Sequence, residues 1–313
     1  MQKNNALPTS EKPPTAKSGE GSAADAPGPT GPPHLDTAFG RPRNFLNHRF
    51  VYTVISQRAR GLSIGVNLNP DKRCNFDCPY CEVNRDEPAR DHKVDVKVMA
   101  AELESLLVQA YDDKLRELAW FRNLPPELLQ LKEVALSGDG EPTLCANFAE
   151  IVREVVHLRS KGKFPFFKIV LITNTAGLDL PGVKAGLKSL APQDEVWVKL
   201  DAGTQKYMDI VNRADITLRK VTSNILRIGR QRPVVIQSLF PSIDSQGPPP
   251  EEIEQYVRRL QKLNAAGAQI SLVQIYSAHR PPHRPYCGHL PLKSLSHIAR
   301  RVREVTGLKA EVF

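Results

Sequence analysis

Six short runs rich in valine, isoleucine and leucine recur along the chain, at 63–68, 133–137, 168–173, 195–200, 234–240 and 270–276. Each is bounded by turn residues and is apolar throughout, as a parallel strand covered on both faces should be. Helical periodicity fills the gaps. It predicts a helix over 96–111 with Met99, Leu103, Leu106, Leu107 and Ala110 on one face, and one over 148–160 with Phe148, Ile151, Val152 and Val155, capped by Asn147. It predicts two more over 250–266, with Ile253, Tyr256, Val257, Leu260 and Leu263, and over 292–306, with Leu295, Ile298, Ala299, Val302 and Val305; Gly267 and Gly307 end them. Ala310 to Phe313 adds an edge strand. Successive β/α units predict a right-handed parallel sheet curled towards a barrel. The loops after the strands then converge on one face, and a site belongs there.

Residues 1–43 are rich in Pro, Gly, Ser, Thr and Ala and cannot bury enough apolar surface to offset ordering entropy, so they read as a disordered tail before a folded region over 44–313. The 313-residue chain is 41% hydrophobic and 25% charged, an ordinary balance for a globular protein. No apolar run is long enough to span a bilayer, and the N-terminus lacks a signal-peptide core. A cytoplasmic protein without membrane attachment is expected, in a compartment that keeps thiols reduced. The net charge is +9, and residues 1–43 carry five Lys/Arg against four Asp/Glu, so the excess belongs to the folded part. Such a surface attracts phosphate-rich partners, or simply solvates helix faces such as Arg258-Arg259 and Arg300-Arg301.

Cys74-Asn75-Phe76-Asp77-Cys78-Pro79-Tyr80-Cys81 follows the first apolar run. Thiolates favour iron–sulfur clusters, zinc and Cu(I). Three are one short of a closed site, and a cubane held by three leaves one iron open to a small molecule. A zinc knuckle completed by His92, Cys145 or Cys287 is the alternative. A disulfide framework fits poorly, because the five cysteines are odd in number and three are clustered. Ser137-Gly138-Asp139-Gly140-Glu141-Pro142-Thr143 follows the second run and lands on the same face. Its glycines let backbone approach a ligand, or make a tight turn into the next helix.

C-x3-C-x2-C with an aromatic, Tyr80, before the third cysteine, followed by this Gly-Glu-Pro segment, resembles the radical S-adenosylmethionine superfamily. In motif style it is similar to wybutosine-synthase-like and activating-enzyme-like iron–sulfur oxidoreductases. The resemblance implies an α/β fold, a partial (β/α)6 barrel. It implies a [4Fe–4S] cluster on Cys74, Cys78 and Cys81, with S-adenosylmethionine on the open iron. One-electron cleavage of that cofactor would yield a 5′-deoxyadenosyl radical that abstracts hydrogen from the substrate. A reductant such as flavodoxin or ferredoxin is implied as partner.

Tyr80, Gly138, Gly140, Glu141 and Pro142 are the first cofactor-binding candidates, with Glu141 as an orienting group. Asn174, Lys199 and Asp201 are polar residues at the ends of apolar strands, costly to bury unless paired or bound. In the resembled family, such residues contact the ribose and carboxylate of S-adenosylmethionine; a Lys199–Asp201 ion pair closing the loop is the alternative. Gln237, within the fifth run, points to the same cavity or makes a sheet hydrogen bond, as do Gln274 and Tyr276. Arg213 and the proline-stiffened loop holding His279, His283, His289, Arg280, Arg284 and Cys287 are substrate candidates; a second metal site or a plain surface loop are the other readings of that loop. Cys145 is expected to pack as a small apolar residue. The sequence does not identify the substrate; an RNA such as transfer RNA is one expectation, and a partner protein that receives a glycyl radical is the alternative. A non-catalytic iron–sulfur or zinc protein is the reading from a different class.

Overall fold

The computed structural model describes residues 45–278 and 284–313. The chain divides into two units, Met1–Pro33 and His34–Phe313, and every described residue lies in the second. The expected tail and residues 279–283 lie outside the described residues.

Among the described residues there are ten strands: β1 Val51–Ser56, β2 Gly61–Asn67, β3 Leu131–Ser137, β4 Lys168–Thr173, β5 Glu195–Lys199, β6 Val234–Leu239, β7 Ser242–Ile243, β8 Ile270–Tyr276, β9 Cys287–Gly288 and β10 Ala310–Val312. Eight form one sheet in the order β1-β2-β3-β4-β5-β6-β8-β10, and β7 pairs antiparallel with β9. From β2 onward every pairing in the large sheet is parallel. β1 alone is antiparallel, folding back on β2 through a tight turn with Ser56 opposite Gly61.

The helices are α1 Val96–Tyr111, α2 Pro126–Leu129, α3 Phe148–Ser160, α4 Pro181–Leu187, α5 Gln205–Val211, α6 Leu218–Gly229, α7 Pro250–Ala265 and α8 Leu292–Thr306. α1 begins at Asp95, whose carboxylate accepts from the N–H groups of Lys97 and Val98, satisfying donors a helix start leaves open. α8 stops at Gly307, whose φ of 68° suits a residue without a Cβ. Asn147 occupies the cap position of α3 but does not cap it. Its amide donates instead to Val94 O at 3.1 Å and its oxygen accepts from Cys145 Sγ at 3.1 Å.

Alternate side chains of each strand point to opposite faces. One set, including Ile64, Val134, Leu136, Leu171, Val196, Val198 and Ile236, packs fully buried with Met99, Leu103, Val155 and Ile225 of the helices. The other set holds a small apolar cluster of Val170, Trp197 and Val235. It also contributes, from β1 through β6 and from β8, to a single cavity. The sheet therefore curls round that cavity as an open barrel, with β1 and β10 as its unpaired edges. The β1–β2 turn bridges the gap: the Arg58 guanidinium lies 4.5 Å from the Tyr276 ring centroid, and Arg60 pairs with Glu311 at 2.9 Å.

Candidate active site

The cavity has a volume of about 540 Å³ and is lined by Cys74, Cys78 and Cys81 from the loop after β2. Backbone and amide N–H groups converge on their sulfurs. Phe76 N donates to Cys74 Sγ at 3.4 Å, Asn174 Nδ2 approaches the same sulfur at 3.8 Å, and Asn212 Nδ2 donates to Cys78 Sγ at 3.5 Å. Burial pushes the Cys74 thiol up and that of Cys78 up to about 12, because a low-dielectric site disfavours thiolate. A coordinating metal reverses that preference and deprotonates the thiol. Among the described residues, no three His, Cys, Asp or Glu side chains converge as ligands of one metal ion. A cubane makes a different demand, since each cysteine binds its own iron. Soft donors on one loop, with N–H groups aimed at sulfur and open space beside them, fit such a cluster.

The Gly-Glu-Pro segment packs against this loop. Glu141 N donates to Arg73 O at 2.9 Å, immediately before Cys74. A Cβ on Gly140 would lie 1.9 Å from that same oxygen, and one on Gly138 would lie 2.6 Å from Asn67 Oδ1. Both glycines line the cavity, and a side chain on either would collide with the end of β2 or with the loop that follows it. Asn67 supports the junction: its amide donates to Asp139 at 2.9 Å, and its oxygen accepts from the N–H groups of Asp139 and Asn69.

Glu141 is fully engaged. One oxygen accepts from Thr143 N at 3.0 Å and from the hydroxyls of Thr143 and Thr173, both at 2.5 Å; the other accepts from Asn174 N at 2.6 Å. Burial raises its pKa, and those hydrogen bonds oppose the rise. The carboxylate thereby ties the segment after β3 to the end of β4. It sets Asn174, whose amide donates to Asn75 Oδ1 at 2.8 Å within the cysteine loop.

Asp201 takes a different place from the cavity wall expected for it. Its side chain is fully buried behind Tyr80 and Lys199 and is absent from the cavity lining. One oxygen accepts from the Tyr80 hydroxyl and from Asn212 Nδ2 at 2.7 Å, and pairs with Lys199 Nζ at 3.3 Å; the other accepts from Leu239 N at 2.9 Å. The Lys199–Asp201 ion pair is therefore present, while Lys199 itself faces the cavity. Burial pulls the Lys199 ammonium down, but the adjacent carboxylate more than reverses this and leaves its pKa raised. Burial, reinforced by Asp201, holds the Tyr80 phenol well above its ordinary value.

Pro142 and Gln237 also line the cavity. Gln237 additionally donates to Gln274 at 3.0 Å, so the cavity and the sheet reading both hold for it. Tyr276 lines the cavity and Gln274 does not. Arg213 stands outside, donating to Tyr286 at 2.6 Å and lying 3.9 Å from Asp77. His279, Arg280 and His283 lie outside the described residues. Arg284 sits 4.0 Å from Asp77, beside a small cleft that also touches Cys78 and Cys81. Burial raises both Cys145 and Cys287 to about 11, so both thiols stay protonated near neutrality.

Sequence reasoning passed over Asn212, which joins Cys78, Tyr80 and Asp201; nothing in Val211-Asn212-Arg213 marks it. It also passed over Glu133, which did carry a signal: a carboxylate on the inward alternation of a core strand, in step with Ala135 and Ser137.

An open parallel barrel with a three-thiol loop at its strand ends defines a class. Residues 68–241 match the family model of the Radical SAM superfamily. The chain belongs to that superfamily and is an enzyme of the radical S-adenosylmethionine class, whose cofactors are a [4Fe–4S] cluster and S-adenosylmethionine. Among curated relatives, a UPF0026 protein of Helicobacter pylori is 25% identical over 240 residues, covering 75% of this chain and 70% of the relative. A UPF0026 protein of Synechocystis is 28% identical over 178 residues, 56% of this chain and 57% of the relative. Among solved structures, a radical SAM methyltransferase from Sphaerobacter thermophilus superposes with a TM-score of 0.57 at 13% identity, covering 84% of this chain and 68% of the other. TYW1 with a lysine-pyruvate adduct bound does so at 0.51 and 15%, covering 80% and 75%. At these identities the likeness is one of fold. No helix among the described residues is long and apolar enough to cross a membrane.

Proposed function

We propose that Cys74, Cys78 and Cys81 hold the cluster, and that the polar strand ends around the cavity bind S-adenosylmethionine for radical chemistry on a substrate inside the barrel. When bound, these cofactors supply one-electron cleavage of a sulfonium and a carbon radical that takes a hydrogen atom from the substrate. The carrying observation is the three-cysteine loop opening on a walled cavity with N–H donors at its sulfurs.

The chain's own residues do the positioning. Glu141, through Thr173 and Asn174, holds the cysteine loop against the end of β4. Asp201 anchors Tyr80 and keeps Lys199 charged at the wall, where it can meet a carboxylate or a ribose oxygen. Asn174, Gln237 and the backbone of Gly138, Gly140 and Pro142 line the same space and offer further polar contacts. The curled sheet excludes water from a reactive carbon radical.

For the substrate, RNA is the reading favoured over a partner protein. The net charge of +9 supports it, as do Arg85, Arg213 and Arg284, which gather around Asp77 beside the cysteine loop. Flavodoxin or ferredoxin would serve as one-electron donor, in a cytoplasmic setting. Anaerobic reconstitution followed by quantitation of 5′-deoxyadenosine tests the cofactor reading, with formation expected in the wild type and none in Cys78→Ala. Transfer-RNA binding that weakens steeply between 50 and 200 mM salt is expected on the RNA reading. Its absence would redirect the search to proteins or small molecules.

A further inference from the structure

At the opposite end of the cavity from the cysteines, Glu133 is 1% exposed and lines the cavity near the start of β3. It lies four residues before Ser137, and so about 13 Å below the rim at the strand rise of a sheet. One oxygen accepts from the Ser63 hydroxyl at 3.1 Å; the other, Oε2, has no hydrogen-bond partner among the described residues. A buried carboxylate oxygen without a partner is costly and uncommon. Its neighbour on β5, Glu195, shows the contrast: one oxygen pairs with Lys168 at 2.8 Å and the other accepts from Trp197 Nε1 at 2.6 Å. Lys168 is therefore already answered, and Arg58 is stacked on Tyr276. No cation of the described residues hydrogen-bonds Glu133 Oε2, although Lys168 and Arg58, which also lines the cavity, favour its charge from a distance. Trp197 and Tyr276 line the same cavity, with Arg58 over the Tyr276 ring.

We propose that the barrel floor is the recognition end of the substrate pocket, where Glu133 accepts from a planar, N–H-bearing group of amidine or guanidine type. This deepens the proposed function and rests on its reading of the cavity as the place of reaction. The carboxylate selects for the group by hydrogen bonding and charge, and holds the rest of the substrate up towards the cysteine end. Burial raises the Glu133 pKa to about 7, with Lys168, Ser63 and Arg58 opposing the rise and Glu195 adding to it. Capture of a cationic group should therefore strengthen as pH rises through neutrality.

The test uses cluster-loaded protein under anaerobic conditions, with benzamidine as probe and calorimetry as readout. One-to-one saturable binding is expected at pH 8, weaker by about tenfold at pH 6, where the carboxyl is mostly protonated. Glu133→Gln should weaken binding at pH 8 by tenfold or more and abolish the pH dependence, whereas Glu195→Gln should change affinity by less than about threefold. Equal affinity in wild type and Glu133→Gln, or no saturable binding, would overturn the proposal; the wild-type pH series decides it even if a variant fails to fold. Displacement of the probe by transfer RNA would assign the group to a base turned out of RNA, and displacement by agmatine alone to a free small molecule. Cleavage of S-adenosylmethionine without benzamidine binding removes the floor proposal and keeps the enzyme reading; binding without cleavage does the reverse.

Discussion

The rim and the floor of one barrel treat buried carboxylates in opposite ways. At the rim, every oxygen of Glu141 and Asp201 is engaged, by backbone N–H groups, hydroxyls, an amide and an ammonium. At the floor, Glu133 has Ser63 on one oxygen and no hydrogen-bond partner for the other among the described residues. Glu141 and Asp201 are architecture: between them they fasten the loops after β2, β3, β4 and β5 to one another. The floor carboxylate makes only one side-chain hydrogen bond within the fold, to Ser63, and on the proposal above its role lies in what enters the cavity.

The strongest way to break this contrast is Glu141→Ala. It strands several buried donors at about 1–3 kcal/mol each, so a loss of about 3–5 kcal/mol and a Tm lower by roughly 10 °C are expected in a thermal melt. A Tm within a degree or two of wild type would mean the network is not structural. Asp201→Ala comes next. It leaves Lys199, Tyr80 and Asn212 without their common partner, and about 3 kcal/mol should be lost in a denaturant titration. S-adenosylmethionine affinity should fall less than tenfold, since Asp201 is not on the wall. A larger fall with unchanged stability would return Asp201 to the wall.

Glu133→Gln should act in the opposite direction. The folded-state pKa, about 7, stands above the ordinary glutamate value of 4.5. Between those values the native state holds a proton that the unfolded chain has released, so this group's contribution to stability falls as pH rises through that window. The variant lacks this penalty. It should match wild type near pH 4.5 and exceed it by up to about 3 kcal/mol at pH 8, read by urea unfolding at both pH values. A variant less stable than wild type at pH 8 would show that the floor is structural too. Gly140→Ala should cost about 1–3 kcal/mol and lower the iron content, because its methyl would collide with Arg73 O beside Cys74. Gly182→Ala, whose Cβ meets nothing within 4 Å, should not lose stability and serves as the control.

Much of the frame was legible in the sequence. The six predicted runs became β2 to β6 and β8, and the four predicted helices became α1, α3, α7 and α8, because long apolar periodicity is fixed by burial. β1 escaped because it precedes the β/α alternation and joins by a hairpin. α5 and α6 escaped as an unremarked pair between β5 and β6, although Thr204 and Thr217 each cap one of them. At the site, motif spacing identified the cysteines and the glycine segment. It did not separate Lys199, on the wall, from Asp201, behind it, since both lie at one strand end and only packing around Tyr80 and Asn212 distinguishes them. Asn212 was not legible, as its role arises from contacts 132 and 134 residues away in sequence.

The central claim is that Cys74, Cys78 and Cys81 form a radical-generating rim. Iron and 5′-deoxyadenosine measured together on anaerobically reconstituted protein, with a chemical reductant and S-adenosylmethionine, test it most directly. About four irons per chain and steady 5′-deoxyadenosine formation are expected in the wild type, both lost in the Cys74/Cys78/Cys81 triple alanine variant, and both retained in the Cys145/Cys287 double alanine variant. Zinc in place of iron, or a full iron complement with no 5′-deoxyadenosine, would contradict the account.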